Sequence, residues 1–133
     1  MPIATTVLRD SLATTAAVAR VWFEDRTQIK SRDEFEARGA LGDSGTGAVY
    51  AYFSAQGQAI YVGQTGRAVK ARLHDQTSPH KSKSWWGEWS YMRFTPLACD
   101  VDRLVLEALL IAAYEPWANE KPKAKPINSL FPV

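Results

Sequence analysis

From Ala48 to Phe53 the chain reads Ala-Val-Tyr-Ala-Tyr-Phe, which puts Tyr50 and Tyr52 on one face of an extended strand and Val49, Ala51 and Phe53 on the other. A second β-favouring run covers Gln58–Val62, and Ser54-Ala-Gln-Gly57 between them supplies turn chemistry, so a β-hairpin is predicted. With a tight, even turn, Tyr50 and Tyr61 lie opposite each other. Beside them Gly63 is read as the strand's end, where a missing side chain lets another segment approach. Arg67–Gln76 has helical composition, and Thr77–Lys83, with Pro79, reads as loop. Trp89–Thr95 reads as a third strand stopped by Pro96. Asp100 is the expected N-cap of a long apolar helix from Val101 to Tyr114, ended by Pro116. The order β-β-α-β-α predicts an α+β fold: a small antiparallel three-stranded sheet flanked by helices.

Upstream the pattern is mixed. Ser31-Arg-Asp-Glu34 has the form of a capping box and predicts a short helix through Phe35 and Arg38, stopped at Gly39. Leu12–Ala19 is made mostly of small residues and reads as a helix or linker rather than a signal peptide. Val18, Val21, Trp22 and Phe23 form an apolar patch after it. Leu41–Gly47, with three glycines, reads as a hinge. The predicted organisation is a partly helical N-terminal extension of unknown role over 1–46, a main domain over 47–125 and a tail over 126–133.

Length and composition fit this plan. The chain has 133 residues, 46% hydrophobic with five tryptophans, enough for one cored domain. A lone cysteine, Cys99, makes no internal disulfide, and no run approaches the roughly eighteen apolar residues of a membrane span. A soluble, cytoplasmic protein is expected. Net charge is only +2, but it is unevenly spread. Between Glu24 and Asp43 six acids face four bases; between Gln64 and Ser84, Arg67, Lys70, Arg72, Lys81 and Lys83, with His74 and His80, face Asp75 alone. Lys121, Lys123 and Lys125 form a second basic cluster. Such clusters attract phosphate backbones, although a solvated helix face and a loose tail account for them at least as well.

Several residues could carry chemistry. Tyr50 and Tyr61 would present two phenols beside Gly63, though strand tyrosines are usually packing residues with a wet hydroxyl. Arg72 offers a planar fork of donors suited to a phosphate. Glu107 sits in an otherwise apolar helix, where an unpaired carboxylate needs a cation, a metal or solvent; Arg103–Glu107 as a surface pair is the plainer reading. Asn119, after Pro116 and Trp117, is a common turn residue. Trp85 and Trp86 could stack on bases or belong to the core.

Taken together, Ala48-Val-Tyr50, Tyr61-Val-Gly63, Lys70-Ala-Arg72, Leu106-Glu107-Ala-Leu-Leu-Ile111 and Tyr114-Glu-Pro-Trp-Ala-Asn119 resemble the signatures of the GIY-YIG nuclease family. The last two are especially like the nuclease domain of the bacterial excision-repair endonuclease. The likeness covers roughly Gly47 to Lys123. Ala48 replaces the first signature's glycine, valines replace both isoleucines, and Gln76 stands where many members carry a histidine, so that role either falls to His74 or His80 or is absent.

The resemblance implies that 47–125 is a catalytic domain: a metal-dependent endonuclease acting on nucleic acid, with DNA favoured, and leaving 5′-phosphate and 3′-hydroxyl ends. Implied cofactors are Mg2+ or Mn2+, held by Glu107. Implied catalytic residues are Tyr50, which would orient or deprotonate the attacking water, Tyr61 on the nucleophile or phosphate, Arg72 on the scissile phosphate, Glu107, and Asn119, which fixes local geometry. Lys70, His74 and Gly63 are auxiliary candidates. Arg67, Lys70, Lys81, Lys83 and Trp85 are candidate nucleic-acid contacts, DNA repair is one candidate task, and a protein partner could supply specificity. The whole set is expected to converge on one hydrated cation in one shallow cleft. Two rivals stand beside this reading: a non-catalytic nucleic-acid-binding module, and a protein-interaction domain working through the acidic N-terminal third.

Overall fold

A strand with no exposed residue needs a layer of side chains over each face, and Ala48–Phe53 is such a strand. The computed structural model describes residues 5–36, 47–66 and 82–119. They form α1 (Thr5–Arg26), β1 (Lys30–Ser31), α2 (Arg32–Glu36), β2 (Ala48–Phe53), β3 (Ala59–Thr65), β4 (Tyr91–Pro96) and α3 (Asp100–Tyr114), with a 3-10 turn over Ser84–Glu88. The fold is α+β: four antiparallel strands in the order β1-β4-β2-β3, with helices packed against them. Among the described residues, no helix is long and apolar enough to cross a membrane.

The expected three strands become four. Lys30 and Ser31 pair with Met92 and Tyr91, a two-residue strand too short to show any period-two pattern. The N-terminal stretch is also more regular than its sequence suggests. α1 runs for 22 residues, and Ala16, Ala19 and Phe23 are its buried stripe. The alanines let α1 lie close to α3, and Phe23 enters a core with Val49, Ala51, Phe53, Val62, Leu106, Leu110 and Ile111. Thr27 ends α1: its N–H and its hydroxyl both donate to the Phe23 carbonyl, at 3.1 and 2.7 Å. The Arg93 guanidinium on β4 donates to the Glu24 and Thr27 carbonyls, placing positive charge at the negative end of the helix dipole. The capping box forms reciprocally: Glu34 N–H donates to Ser31 Oγ and Ser31 N–H to Glu34 Oε1, each at 3.2 Å.

The hairpin closes through Ser54–Gln58, with Gly57 at φ 85°, a left-handed conformation that suits glycine. Two corrections follow from its register. Ile60 is an extra residue in the ladder, so Tyr61 lies opposite Tyr52, and Tyr50 lies opposite Gly63. Tyr50 and Tyr61 are therefore diagonal rather than direct neighbours. Gly63 also does not end the strand, which continues to Thr65.

The third predicted strand begins later than expected, at Tyr91, and includes Pro96. Asp100 is the first residue of α3, not its cap; Cys99 holds the N-cap position without a side-chain cap bond. The expected surface pair of Arg103 with Glu107 is replaced by a buried arrangement. Arg103 is 5% exposed and its guanidinium donates to Gln64 Oε1, to the Leu97 and Ala98 carbonyls and to the Asp100 carboxylate. It ties the end of β3 to the β4–α3 connection. The predicted hinge over 41–46, the helix over 67–76, the loop over 77–81 and the tail lie outside the described residues.

Candidate active site

Opposite the helices, the even-numbered residues of β2 and β4 build an aromatic layer. Ala48, Tyr50, Tyr52, Ile60, Met92, Trp85 and Trp89 are buried there, with Tyr61, Trp86, Phe94 and Ala118 packed against them. The rings of Tyr50 and Tyr61 are 6.3 Å apart at 25°. Trp85 lies nearly parallel to Tyr61, 5.0 Å away at 10°. Arg32 holds the layer's far side: its guanidinium sits 4.8 Å from the Trp89 ring centre and donates to the Trp86 carbonyl at 2.7 Å.

Gly63 makes the phenol pair possible. A β-carbon there would stand 2.7 Å from the Tyr50 hydroxyl oxygen and 2.8 Å from Cε1 of Tyr61. The two phenols thus occupy the space that a side chain at position 63 would take. They differ in access: Tyr50 is 1% exposed, whereas Tyr61 is partly exposed.

Asn119 reaches the same strand from outside. Its side-chain Nδ2 donates to the Val62 carbonyl at 2.8 Å and its Oδ1 accepts from the Val62 N–H at 2.9 Å. Just before it, Ala118 N–H donates to the Ile60 carbonyl at 2.8 Å. An asparagine amide has one donor and one acceptor side by side, as a peptide group does, so it prolongs the ladder by one rung. Tyr61 is bracketed between those two attachment points.

Glu107 stands elsewhere. Its helix packs under the opposite face of the sheet, with Val49, Ala51 and Val62. Asp102, Leu106 and Leu109 face a groove against α1; by helical spacing Glu107 and Ile111 fall on the flank turned away from α1, toward β3. One turn earlier, Arg103 hydrogen-bonds Gln64 of β3. The body of α3 therefore covers the face of the sheet opposite the phenols, and Glu107 is partly buried on that helix.

Trp85, expected as a base-stacking contact, is 5% exposed and packs between Tyr52 and Tyr61; it belongs to the aromatic layer. Lys83 is exposed just before the 3-10 turn. Arg67, Lys70, Arg72, His74 and Lys81, together with His80, Lys121, Lys123 and Lys125, lie outside the described residues. Among the described residues, no three His, Cys, Asp or Glu side chains group to hold a metal. A magnesium ion that keeps most of its waters needs only one or two carboxylates, so the donor chemistry at Glu107 fits magnesium rather than a soft transition metal.

A perturbed acid sits on α1, away from the phenol pair. Burial pushes the Glu24 carboxyl up, but hydrogen bonds from Tyr114 and Arg20 and the charges of Arg20 and Arg93 outweigh it and hold Glu24 below its ordinary value. Burial and the 2.6 Å bond to Glu24 push the Tyr114 phenol well above its usual range.

Sequence reasoning missed two contributors here. Helical spacing pairs Arg103 with Glu107, and nothing in the sequence shows that the arginine folds inward. Trp117 went unassigned, although a large apolar residue in a polar turn was the available signal. No family model, curated protein or solved structure matches the chain.

Proposed function

We propose that this chain is a metal-dependent endonuclease of GIY-YIG type, cutting phosphodiester bonds in nucleic acid, with DNA favoured. The observation that carries the reading is the phenol pair of Tyr50 and Tyr61 around Gly63, on a strand that Asn119 clamps at Val62. Three separate signatures of the resemblance meet there: Tyr61 and Gly63 on β3, Tyr50 on the neighbouring β2, and Asn119 at the outer edge of β3.

Access divides the labour between the phenols. Tyr61, partly exposed, meets the attacking water or the phosphate. Tyr50, buried against Gly63, holds Tyr61 in place from beneath. This moves the work on the attacking water, which the resemblance alone gives to Tyr50, to Tyr61. A free tyrosine has a pKa of about 10, so Tyr61 needs a neighbouring cation to work as a base near neutrality. Lys70, His74 or the metal would supply that help, with Arg72 taking charge from the phosphate in the transition state. Glu107 would hold magnesium or manganese, which supplies stabilisation of charge on the leaving oxygen. Products would carry 5′-phosphate and 3′-hydroxyl ends, and the proposed setting is the cytoplasm.

The test is incubation of labelled single-stranded, duplex and branched DNA, and RNA, with and without magnesium. Cleavage that needs the metal and disappears in Glu107→Ala is expected. Metal-independent cleavage, or an undiminished Glu107→Ala, overturns the assignment.

A second reading has an observation of its own. An apolar groove of about 450 Å³ runs between α1 and α3, lined by Val18, Trp22, Val105, Leu106 and Leu109. It favours a protein-interaction role, and an absence of nucleic-acid affinity at low salt would select it.

A further inference from the structure

Trp117 is a tryptophan that the fold turns outward. Trp85 and Trp89 keep 5% and 2% of their surface in water, whereas Trp117 keeps 49%. Leaving a large apolar ring in solvent forgoes the stabilisation that burial gives. Nor is this ring on a frayed end, because the backbone on both sides is tied. Glu115 closes α3 in a left-handed conformation, with its N–H donating to the Ile111 carbonyl at 2.9 Å. Pro116 is buried. Ala118 donates to Ile60 at 2.8 Å, and Asn119 brackets Val62. The exposed ring is thus held one residue away from a fixed attachment to the segment that carries Tyr61. The sequence then continues into Lys121, Lys123 and Lys125.

We propose that Trp117 is a stacking platform for an unpaired base, and that the substrate carries single-stranded or unstacked nucleotides beside the bond to be cut. This deepens the nuclease reading and rests on it. Every base has a π-face that an indole can cover, so such a platform is tolerant of sequence. Inside a duplex those faces are already stacked, and only base edges are offered in the grooves. An exposed tryptophan on a tied backbone therefore selects against fully paired nucleic acid. The base-stacking role expected of Trp85 thus passes to a different tryptophan.

The experiment uses the full chain without divalent metal, titrated with fluorescein-labelled oligo-dT and with a duplex of equal length, following anisotropy and tryptophan emission. The unaltered chain is expected to prefer oligo-dT and to lose emission on binding. Trp117→Ala should weaken oligo-dT binding by about tenfold and remove most of the emission change, with duplex binding little altered. Trp117→Phe should retain most of the affinity, and it carries the test if the alanine variant melts early. Equal oligo-dT affinity in Trp117→Ala and the parent, or a parent that prefers duplex, overturns the platform alone. A parent that binds neither probe removes the nuclease reading as well.

Discussion

The hydroxyl oxygen of Tyr50 stands 2.7 Å from the point that a β-carbon on Gly63 would occupy, and the Tyr61 ring stands 2.8 Å from the same point. Both rings depend on that one absent methyl group. Gly63→Ala should push them apart and lower stability by about 1–3 kcal/mol, the usual cost of overfilling a packed site. The shift in urea midpoint measures this. The variant should also lose cleavage, since Tyr61 moves. An alanine variant as stable and active as the parent would show that the rings yield freely.

The unequal access of the phenols predicts unequal kinetic effects. Tyr61→Phe removes the hydroxyl that reaches solvent, and kcat should fall by about a hundredfold or more. Tyr50→Phe should cost less in rate, because its hydroxyl is buried and acts through Tyr61. Circular dichroism should stay unchanged in both. A larger loss in Tyr50→Phe would restore the opposite assignment.

Arg103 should tolerate no substitute. Lysine has one ammonium group and cannot fork to Gln64, Leu97, Ala98 and Asp100 together. Arg103→Lys and Arg103→Met should each lower stability by about 2–4 kcal/mol, since carbonyls buried with the guanidinium lose their donor. Little of this comes from the ion pair itself, because the Asp100 side chain is 85% exposed. Asp100→Asn should therefore be mild. Denaturant midpoints separate the three variants.

The Glu24–Tyr114 pair predicts a stability profile with two limbs. Glu24 is held below the ordinary carboxyl value of 4.5, so the fold favours its ionised form. Its contribution is complete above that value and is lost as pH falls through the lowered one. Tyr114 is raised above the ordinary 10.0, first by burial and then by its bond to Glu24, so the fold favours its protonated form. That contribution is complete below 10.0 and is lost as pH climbs through the raised value. Melting temperature against pH should show a flatter acid limb in Glu24→Gln and a flatter alkaline limb in Tyr114→Phe. Unchanged limbs would mean that the pair does not couple α1 to α3.

The elements that could be read from sequence are those whose pattern is local. Alternation alone assigned Tyr50 and Tyr52 to one face and Val49, Ala51 and Phe53 to the other, and the Ser31–Glu34 capping box needed only four residues. α3 announced itself by its long apolar run. α1 did not, because its buried stripe is two alanines and a phenylalanine set among threonines and charges. Gly63 was mistaken for a breaker, since a glycine's reason for being in a strand lies in the ring across from it, which register decides. That register depends on Ile60, a bulge with no sequence mark.

The site divides along the same line. The clustering of Tyr61, Gly63 and Asn119 on one strand follows from the order of the motifs once the hairpin is paired. The face of the sheet that α3 covers does not follow. Helical spacing tells which side of α3 carries Glu107, but which side of the sheet receives α3 is a matter of tertiary packing. Trp85 was open between core and base contact for a similar reason: composition counts tryptophans without telling which ones are covered.

The amide of Asn119 has a further effect besides setting the geometry near Tyr61. Among the described residues β3 is the last strand of the sheet on its side, and a bare edge is a template on which strands of other chains can grow into fibrils. Across Val62 that rung is already taken by the molecule's own side chain. A residue marked by its motif for catalysis thereby also guards the protein against aggregation, and loosening it would endanger solubility before chemistry was ever assayed.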